Sequence, residues 1–257
     1  MTAPPAEKVI WHDVECGRYA ADLPLWRELA AAAGGPVLEI GAGTGRVTLD
    51  LARRGHAVTA VELEPELADA LRSRAGELPV DVMCADITKE PRAGAYPLVI
   101  APMQVIQVLG GERERVAMFR NARDLLGPGG AVVVAFVDTV AEVSFGASEL
   151  HQEETLVLDQ ATYTSRAVSV QFSRRAIQIV RDRRSRGPAG GERRSRSHQA
   201  LQVLPQAQVI AEAARAGLEL VRVHEVPATA QDLACIALAF RDRDDGGRDP
   251  GDCGGDR

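Results

Sequence analysis

Between Val37 and Arg46 the chain reads Val-Leu-Glu-Ile-Gly-Ala-Gly-Thr-Gly-Arg, an apolar run that breaks into Gly41, Gly43 and Gly45. Glycine permits a tight turn and lets a ligand approach bare backbone. A helix that starts there offers free N–H groups and a positive dipole end to a carboxylate or phosphate. Two carboxylates follow at matching points of the next two apolar runs. Glu62 lies 21 residues after Gly41, where it can accept from both hydroxyls of a ribose; its plain alternative is a solvated loop acid. Asp86 follows Val82-Met83-Cys84-Ala85 and can accept from the exocyclic amine of an adenine, or simply cap or turn the chain. Three successive strand ends aimed at one crevice say more together than each does alone.

These residues need elements to hold them. From Pro36 to Phe136 short apolar runs alternate with amphipathic stretches, the pattern of βαβ units and a parallel sheet. The pattern predicts strands over 36–40, 56–62, 80–85, 98–101 and 131–137. Helices are expected over 44–54, 65–75 and 112–126. Ahead of this core, Asp22 is expected to cap a helix over 23–33 that has Pro24 near its start. Beyond it, 155–158, 162–171, 176–183 and 199–204 read as antiparallel strands, followed by a helix over 205–216 and strands over 218–226 and 233–240. The expected fold is an α/β, Rossmann-like, doubly wound and mostly parallel sheet with an antiparallel C-terminal strand. Residues 1–240 form one domain, divided into an N-terminal helical lid (1–34), a cofactor-binding core (36–137) and an antiparallel substrate-side insertion (145–204). Residues 241–257 hold five glycines, six aspartates and four arginines and are expected to be a disordered tail.

Composition narrows the class. The chain has 257 residues, 46% of them hydrophobic and 26% charged, as in globular domains. The longest apolar stretches, 131–137 and 233–240, are far below the roughly 18 residues of a membrane span. The first 13 residues show no basic cluster followed by an apolar stretch, so a cytoplasmic location is expected. Cys16, Cys84, Cys235 and Cys253 form no CxxC pair and read as free thiols, with no metal site implied. The net charge of −6 offers no general attraction for a polyanion. The segment 172–198 is the exception, with nine arginines against two acids and Phe172 as its one aromatic. Nucleic-acid modules interleave basic and stacking residues, so a solvated hairpin is the first reading. Contact with an anionic acceptor comes second and nucleic acid third.

The sequence resembles the class I S-adenosylmethionine-dependent methyltransferases, specifically their small-molecule branch. The resemblance rests on Glu39-Ile40-Gly41-Ala42-Gly43-Thr44-Gly45-Arg46, Val61-Glu62-Leu63, Cys84-Ala85-Asp86-Ile87, Leu98 to Gln104, and Leu125-Leu126-Gly127-Pro128-Gly129-Gly130. It implies a cofactor site at Glu39, Gly41, Ala42, Gly43, Gly45, Glu62, Leu63, Asp86 and Ile87, with Pro102, Met103 and Gln104 beside the sulfonium. It implies methyl transfer to a nitrogen or oxygen of a small molecule, without a metal. Pro97 stands where the family often has an acid. In related enzymes the segment before the first helix folds over the cofactor, which makes His12, Glu15 and Tyr19 candidates for the site. The catalytic candidates are His12, Tyr19, Gln104 and His151, Gln104 being the stronger of the two glutamines, 104 and 107, in its stretch. The rivals are a nicotinamide-dependent oxidoreductase, which Arg46 disfavours where a third glycine would stand, and a non-catalytic adenosylmethionine-binding or nucleic-acid-associated protein.

Overall fold

The computed structural model describes residues 7–89, 94–138, 153–188, 190–228 and 234–244. Five strands, β1 (Val37–Ile40), β2 (Val58–Glu62), β3 (Val80–Cys84), β4 (Tyr96–Ala101) and β5 (Leu126–Phe136), pair in parallel. Two more, β10 (Leu218–Val226) and β11 (Cys235–Asp242), complete a seven-stranded sheet of order β10-β11-β5-β4-β1-β2-β3, with β11 antiparallel to both neighbours. The order reverses between β1 and β4, and the crevice at the carboxyl ends of strands opens at such a switch point.

Both faces of this sheet are covered, so its strands carry apolar residues at successive positions. Val132, Val134 and Phe136 of β5 pack with Met118 and Phe119 of α6 (Glu112–Asp124) and Val209 and Ala213 of α7 (Gln206–Arg215). Val133 and Ala135 face the other way, into Trp26 and Ala30 of α2 (Leu23–Ala33) and Val47 and Leu51 of α3 (Arg46–Ala52). Phe119 meets Phe240 edge to face at 5.6 Å, a geometry that adds about 0.5–1.5 kcal/mol to plain burial.

A separate antiparallel meander is built from β6 (Glu153–Leu158), β7 (Ala161–Phe172), β8 (Ala176–Arg186) and β9 (Glu192–Gln202). An N-terminal helix, α1 (Glu7–Cys16), bridges the two sheets. Its buried Ile10, Trp11 and Val14 pack on Leu156, Leu158 and Tyr163.

Several expectations need correction. Helix α3 starts at Arg46 because Gly45, at φ 98°, still belongs to the turn. Asp22 stands at the N-cap of α2 but makes no side-chain cap bond: its carboxylate accepts from Trp26 Nε1 at 2.8 Å and pairs with Arg46, both inside the protein. Strand β9 begins at Glu192 instead of 199, because it pairs with β8 along its whole charged length and a ladder needs only backbone groups. Strand β11 runs to Asp242 and Arg243 N donates to Gly217 O, so the chain stays ordered past 240. Residues 245–257 lie outside the described residues, as does His151. Among the described residues no helix is long and apolar enough to cross a membrane.

Candidate functional site

Strand β1 ends in a turn whose backbone is shaped by Gly41 (φ 70°) and Gly43 (φ 57°), conformations that strain any residue with a Cβ. Both glycines are also tightly approached. A Cβ on Gly41 would fall 2.6 Å from Val105 Cγ2, and one on Gly43 would fall 2.5 Å from the His12 ring. Gly41 N and Ala42 N donate to Val61 O, which ties the turn to the end of β2. Glu62 completes that tie. Its buried carboxylate accepts from Gly43 N at 2.7 Å and from Glu64 N at 2.9 Å. Each carboxylate oxygen has a second lone pair, so Glu62 keeps acceptor capacity for a hydroxyl pair at the crevice.

Leu63, next along, is 57% exposed, an apolar side chain left open beside the crevice. Asp86, just past β3, is already engaged: it accepts from Thr88 N and Thr88 Oγ1 and pairs with Lys89 at 2.9 Å. The Thr88 hydroxyl, then Lys89, hold its carboxyl below the usual range. Ile87 is buried and its carbonyl accepts from Asn121 Nδ2 at 2.6 Å. Past β4, Pro102 is buried, and Met103 adopts φ 54°. A non-glycine residue in that region is uncommon and strained. Gln104 follows at the mouth of α5 (Val105–Val108).

Glu39 sits beneath this surface. It is 2% exposed and accepts from the Thr48 hydroxyl, and burial pushes its carboxyl up to about 7. Tyr19 lies under the Arg46 guanidinium, 5.0 Å from ring centroid to Cζ, with its hydroxyl 3.5 Å from Cys235 Sγ. Burial pushes its phenol well above the usual range, which makes it a donor rather than a base at neutral pH.

A cavity of about 520 Å³ opens between α1, the inner face of the antiparallel sheet and the parallel strand ends. His12, Tyr19, Gln104 and Val137 line one side; Val170, Ile177, Ile179 and Leu201 line the other. Alternation along β8 puts Ile177, Ile179, Arg181 and Arg183 on one face, so the apolar wall runs into two arginines.

Those two are not solvated, contrary to the expectation for 172–198. Arg183 clamps Glu15 of α1 with two hydrogen bonds of 2.7 and 2.8 Å, Ser165 Oγ donates to the same carboxylate, and Arg183 also lies over the Trp11 ring. Arg181 donates to Glu154 Oε2 at 2.6 Å. Their side chains are 24% and 18% exposed, against 71% for Arg194 on the same hairpin. Burial, the largest influence on Glu15, raises its carboxyl pKa, but the Arg183 and Ser165 bonds outweigh it and leave it lowered.

Gln107 turns out to be a clamp rather than a ligand group. It is fully buried, accepts from Val137 N, and donates to Val137 O and Gln202 O. Gln202 in turn meets the buried Arg115–Glu212 pair, which joins α6 to α7. Among the described residues, no cluster of three or more His, Cys, Asp or Glu could hold a metal ion.

Residues 37–130, which contain the glycine turn, Glu62 and Asp86, match the methyltransferase domain family. This stretch is similar to a methyltransferase domain. Over 172 residues the chain is 31% identical to the ribosomal RNA small subunit methyltransferase A of Anaeromyxobacter dehalogenans, covering 66% of this chain and 57% of that protein. The chain spans about half the length of the curated relatives it matches. The solved CcbJ methyltransferase of Streptomyces caelestis is 25% identical and superposes with a TM-score of 0.62, covering 87% of this chain and 96% of its own. The sugar N-methyltransferase KedS8 from a Streptoalloteichus species is 16% identical, with a TM-score of 0.73 and coverage of 94% and 96%. The matched stretch holds β1 to β4 and the start of β5; α1 and the antiparallel sheet wall the cavity that faces it.

Proposed function

We propose that the chain transfers a methyl group from S-adenosylmethionine to a nitrogen or oxygen of a small-molecule acceptor held in the 520 Å³ cavity. One observation carries this reading: the glycine turn, latched to the Glu62 carboxylate, meets the His12 ring, which lines the cavity together with Gln104 and the apolar wall of β7–β9. The residues present fit the cofactor. Gly41 and Gly43 carry no side chain of their own, and Ala42 only a methyl, where a methionyl group would approach the backbone. Glu62 would accept from the ribose hydroxyls, Leu63 would cover a face of the adenine, and Asp86 with Ile87 would meet its edge. Glu39, already bonded to Thr48, supports the turn from below.

The cofactor supplies an activated methyl on sulfur. The chain supplies placement, which is worth on the order of 7–11 kcal/mol when a reacting pair is held in line at about 3 Å. Helix α1 closes the crevice and excludes water. Gln104 offers an amide that can accept from or donate to an acceptor nitrogen or oxygen.

Two features favour a small molecule over RNA. The cavity is walled by α1 and a sheet, and two of the arginines that line it, Arg183 and Arg181, are spent on Glu15 and Glu154. Structural neighbours include a sugar N-methyltransferase and a glycopeptide N-methyltransferase, whereas one curated relative is a ubiquinone biosynthesis O-methyltransferase.

Calorimetry with S-adenosylmethionine, S-adenosylhomocysteine and NADH tests the cofactor. Binding of the first two and not the third is expected; NADH binding alone would sink the reading. Methyl transfer from labelled cofactor to amine and hydroxyl panels then separates nitrogen from oxygen.

A further inference from the structure

His12 is held in a way that decides which of its nitrogens carries the proton. Its Nδ1 lies 3.2 Å from Thr44 Oγ1. The Thr44 hydroxyl has one proton, and it points to Asp13 Oδ1 at 2.7 Å. Asp13 accepts only, because its carboxylate is also gripped by Arg74, which reaches the Thr44 carbonyl as well. The Thr44 oxygen therefore has only lone pairs left for His12, so Nδ1 must be the donor. In the neutral ring Nε2 is then bare, an acceptor.

That bare nitrogen is aimed at the glycine turn. A Cβ built on Gly43 would lie 2.5 Å from Nε2, and the ring lines the cavity with Gln104 and Tyr19. The charged groups around it come from several elements. Asp13 and Glu15 of α1 and Glu62 of β2 favour the imidazolium, and Arg74 of α4 (Pro65–Ala75) opposes it. Lys8, on the same face, is tied to Glu64. Burial, the largest influence, holds His12 below its usual range, so the ring is neutral at pH 7.

We propose that His12 is a tautomer-locked acceptor for an ammonium N–H in the crevice, positioned by the Asp13–Thr44 relay. The inference rests on the methyltransferase reading for the ligand and stands on geometry for the tautomer. Two ligands present that chemistry: the α-ammonium of the cofactor, and an amine acceptor. With an amine acceptor, the proton leaving the nitrogen passes to Nε2. The freed pair forms the N–CH₃ bond while the S–CH₃ pair returns to sulfur.

The test uses the full chain and needs no known acceptor. Long-range ¹⁵N–¹H spectra at pH 7.5, with the His12 signal identified by its loss in His12→Asn, should show Nδ1 protonated and Nε2 bare. Thr44→Val should move the population toward the other tautomer. A protonated Nε2 in the native chain, or a tautomer indifferent to Thr44→Val, overturns the proposal. Calorimetry of His12→Asn with S-adenosylhomocysteine and with 5′-methylthioadenosine, which lacks the ammonium, then tells the sources apart. If the cofactor is the partner, affinity for the first falls roughly tenfold to a hundredfold, the scale of a hydrogen bond to a charged group, and the second holds. If the acceptor is the partner, both hold. An equal loss for both would make His12 a packing residue and overturn the ammonium role. A native chain that binds neither compound sinks the methyltransferase reading, and the spectra still judge the tautomer.

Discussion

The parallel and antiparallel sheets of this chain are secured over different distances and by different forces. In the first, β1, β2 and β4 bury both faces, and the crevice is drawn together by backbone bonds such as Gly41 N to Val61 O and by Glu62, 19 residues from Gly43. In the second, β8 and β9 leave one face to solvent, and the inner face is joined to α1 by Glu15 and Arg183, 168 residues apart. A wall held by one small apolar cluster and a few polar contacts opens at lower free energy than a core packed on both faces. The crevice at the glycine turn is therefore the fixed half of the proposed site, and the antiparallel wall is the adjustable half.

The largest effect should come from the buried pair that joins α6 to α7 and meets β9 at Gln202. Glu212→Ala strands the Arg115 guanidinium, whose side chain is 2% exposed, and should lower stability by about 3–5 kcal/mol in urea titrations. Replacing both partners with methionine should return most of it, and a loss under 1 kcal/mol for the single change would show the joint to be slack. Next comes Glu39 in the fixed half. Its folded-state pKa of about 7 lies above the ordinary 4.5, so the folded state binds the extra proton between those values. The stability this brings is complete below pH 4.5 and is lost as pH rises through 7, a decline of order 3 kcal/mol. Glu39→Gln should flatten that decline; an unchanged slope would remove Glu39 as its source.

Gly43→Val should weaken S-adenosylhomocysteine binding by about a hundredfold or more, since the new side chain meets the His12 ring. The accompanying fold destabilisation should stay near 1–2 kcal/mol for a left-handed residue. Normal binding would refute the close approach. The smallest effect belongs to the adjustable half. Arg183→Gln should loosen α1 by about 1–3 kcal/mol, read as faster proteolysis within residues 7–19 at unchanged thermal midpoint. Exchanging the charges, Arg183→Glu with Glu15→Arg, should restore protection. Arg194→Gln, at an exposed position on the same hairpin, should stay within about 0.5 kcal/mol of the parent. Equal effects at 183 and 194 would erase the distinction between the halves.

Legibility in the sequence followed the same division. Helices α2 and α4 and strand β10 lie where proline, glycine and apolar periodicity put them, because those signals are local. Gly41, Gly43 and Glu62 were readable for the same reason. The Asp86 turn, closed by Thr88 two residues on, was equally local, and both of its readings fit the spacing. Helix α1 had a signal in Ile10, Trp11 and Val14, one face at helical spacing, but the surface it covers comes about 150 residues later. Nothing within nine arginines says which two will turn inward. That choice is made by the β8 register and by Glu15, far away in the chain.

Strand β11 has a consequence for how the chain matures. Its residues 236–240 pair with 132–136 of β5, in the interior of the sheet, across about 100 residues of sequence. On a ribosome moving at about 5–20 residues per second, β5 waits on the order of 5–20 s for this partner, its apolar valines and unpaired backbone edge on display. Translation that stalls before Cys235 leaves a template for intermolecular strand addition. Quality control of this protein is thus a matter of timing, set by the last strand of its sheet.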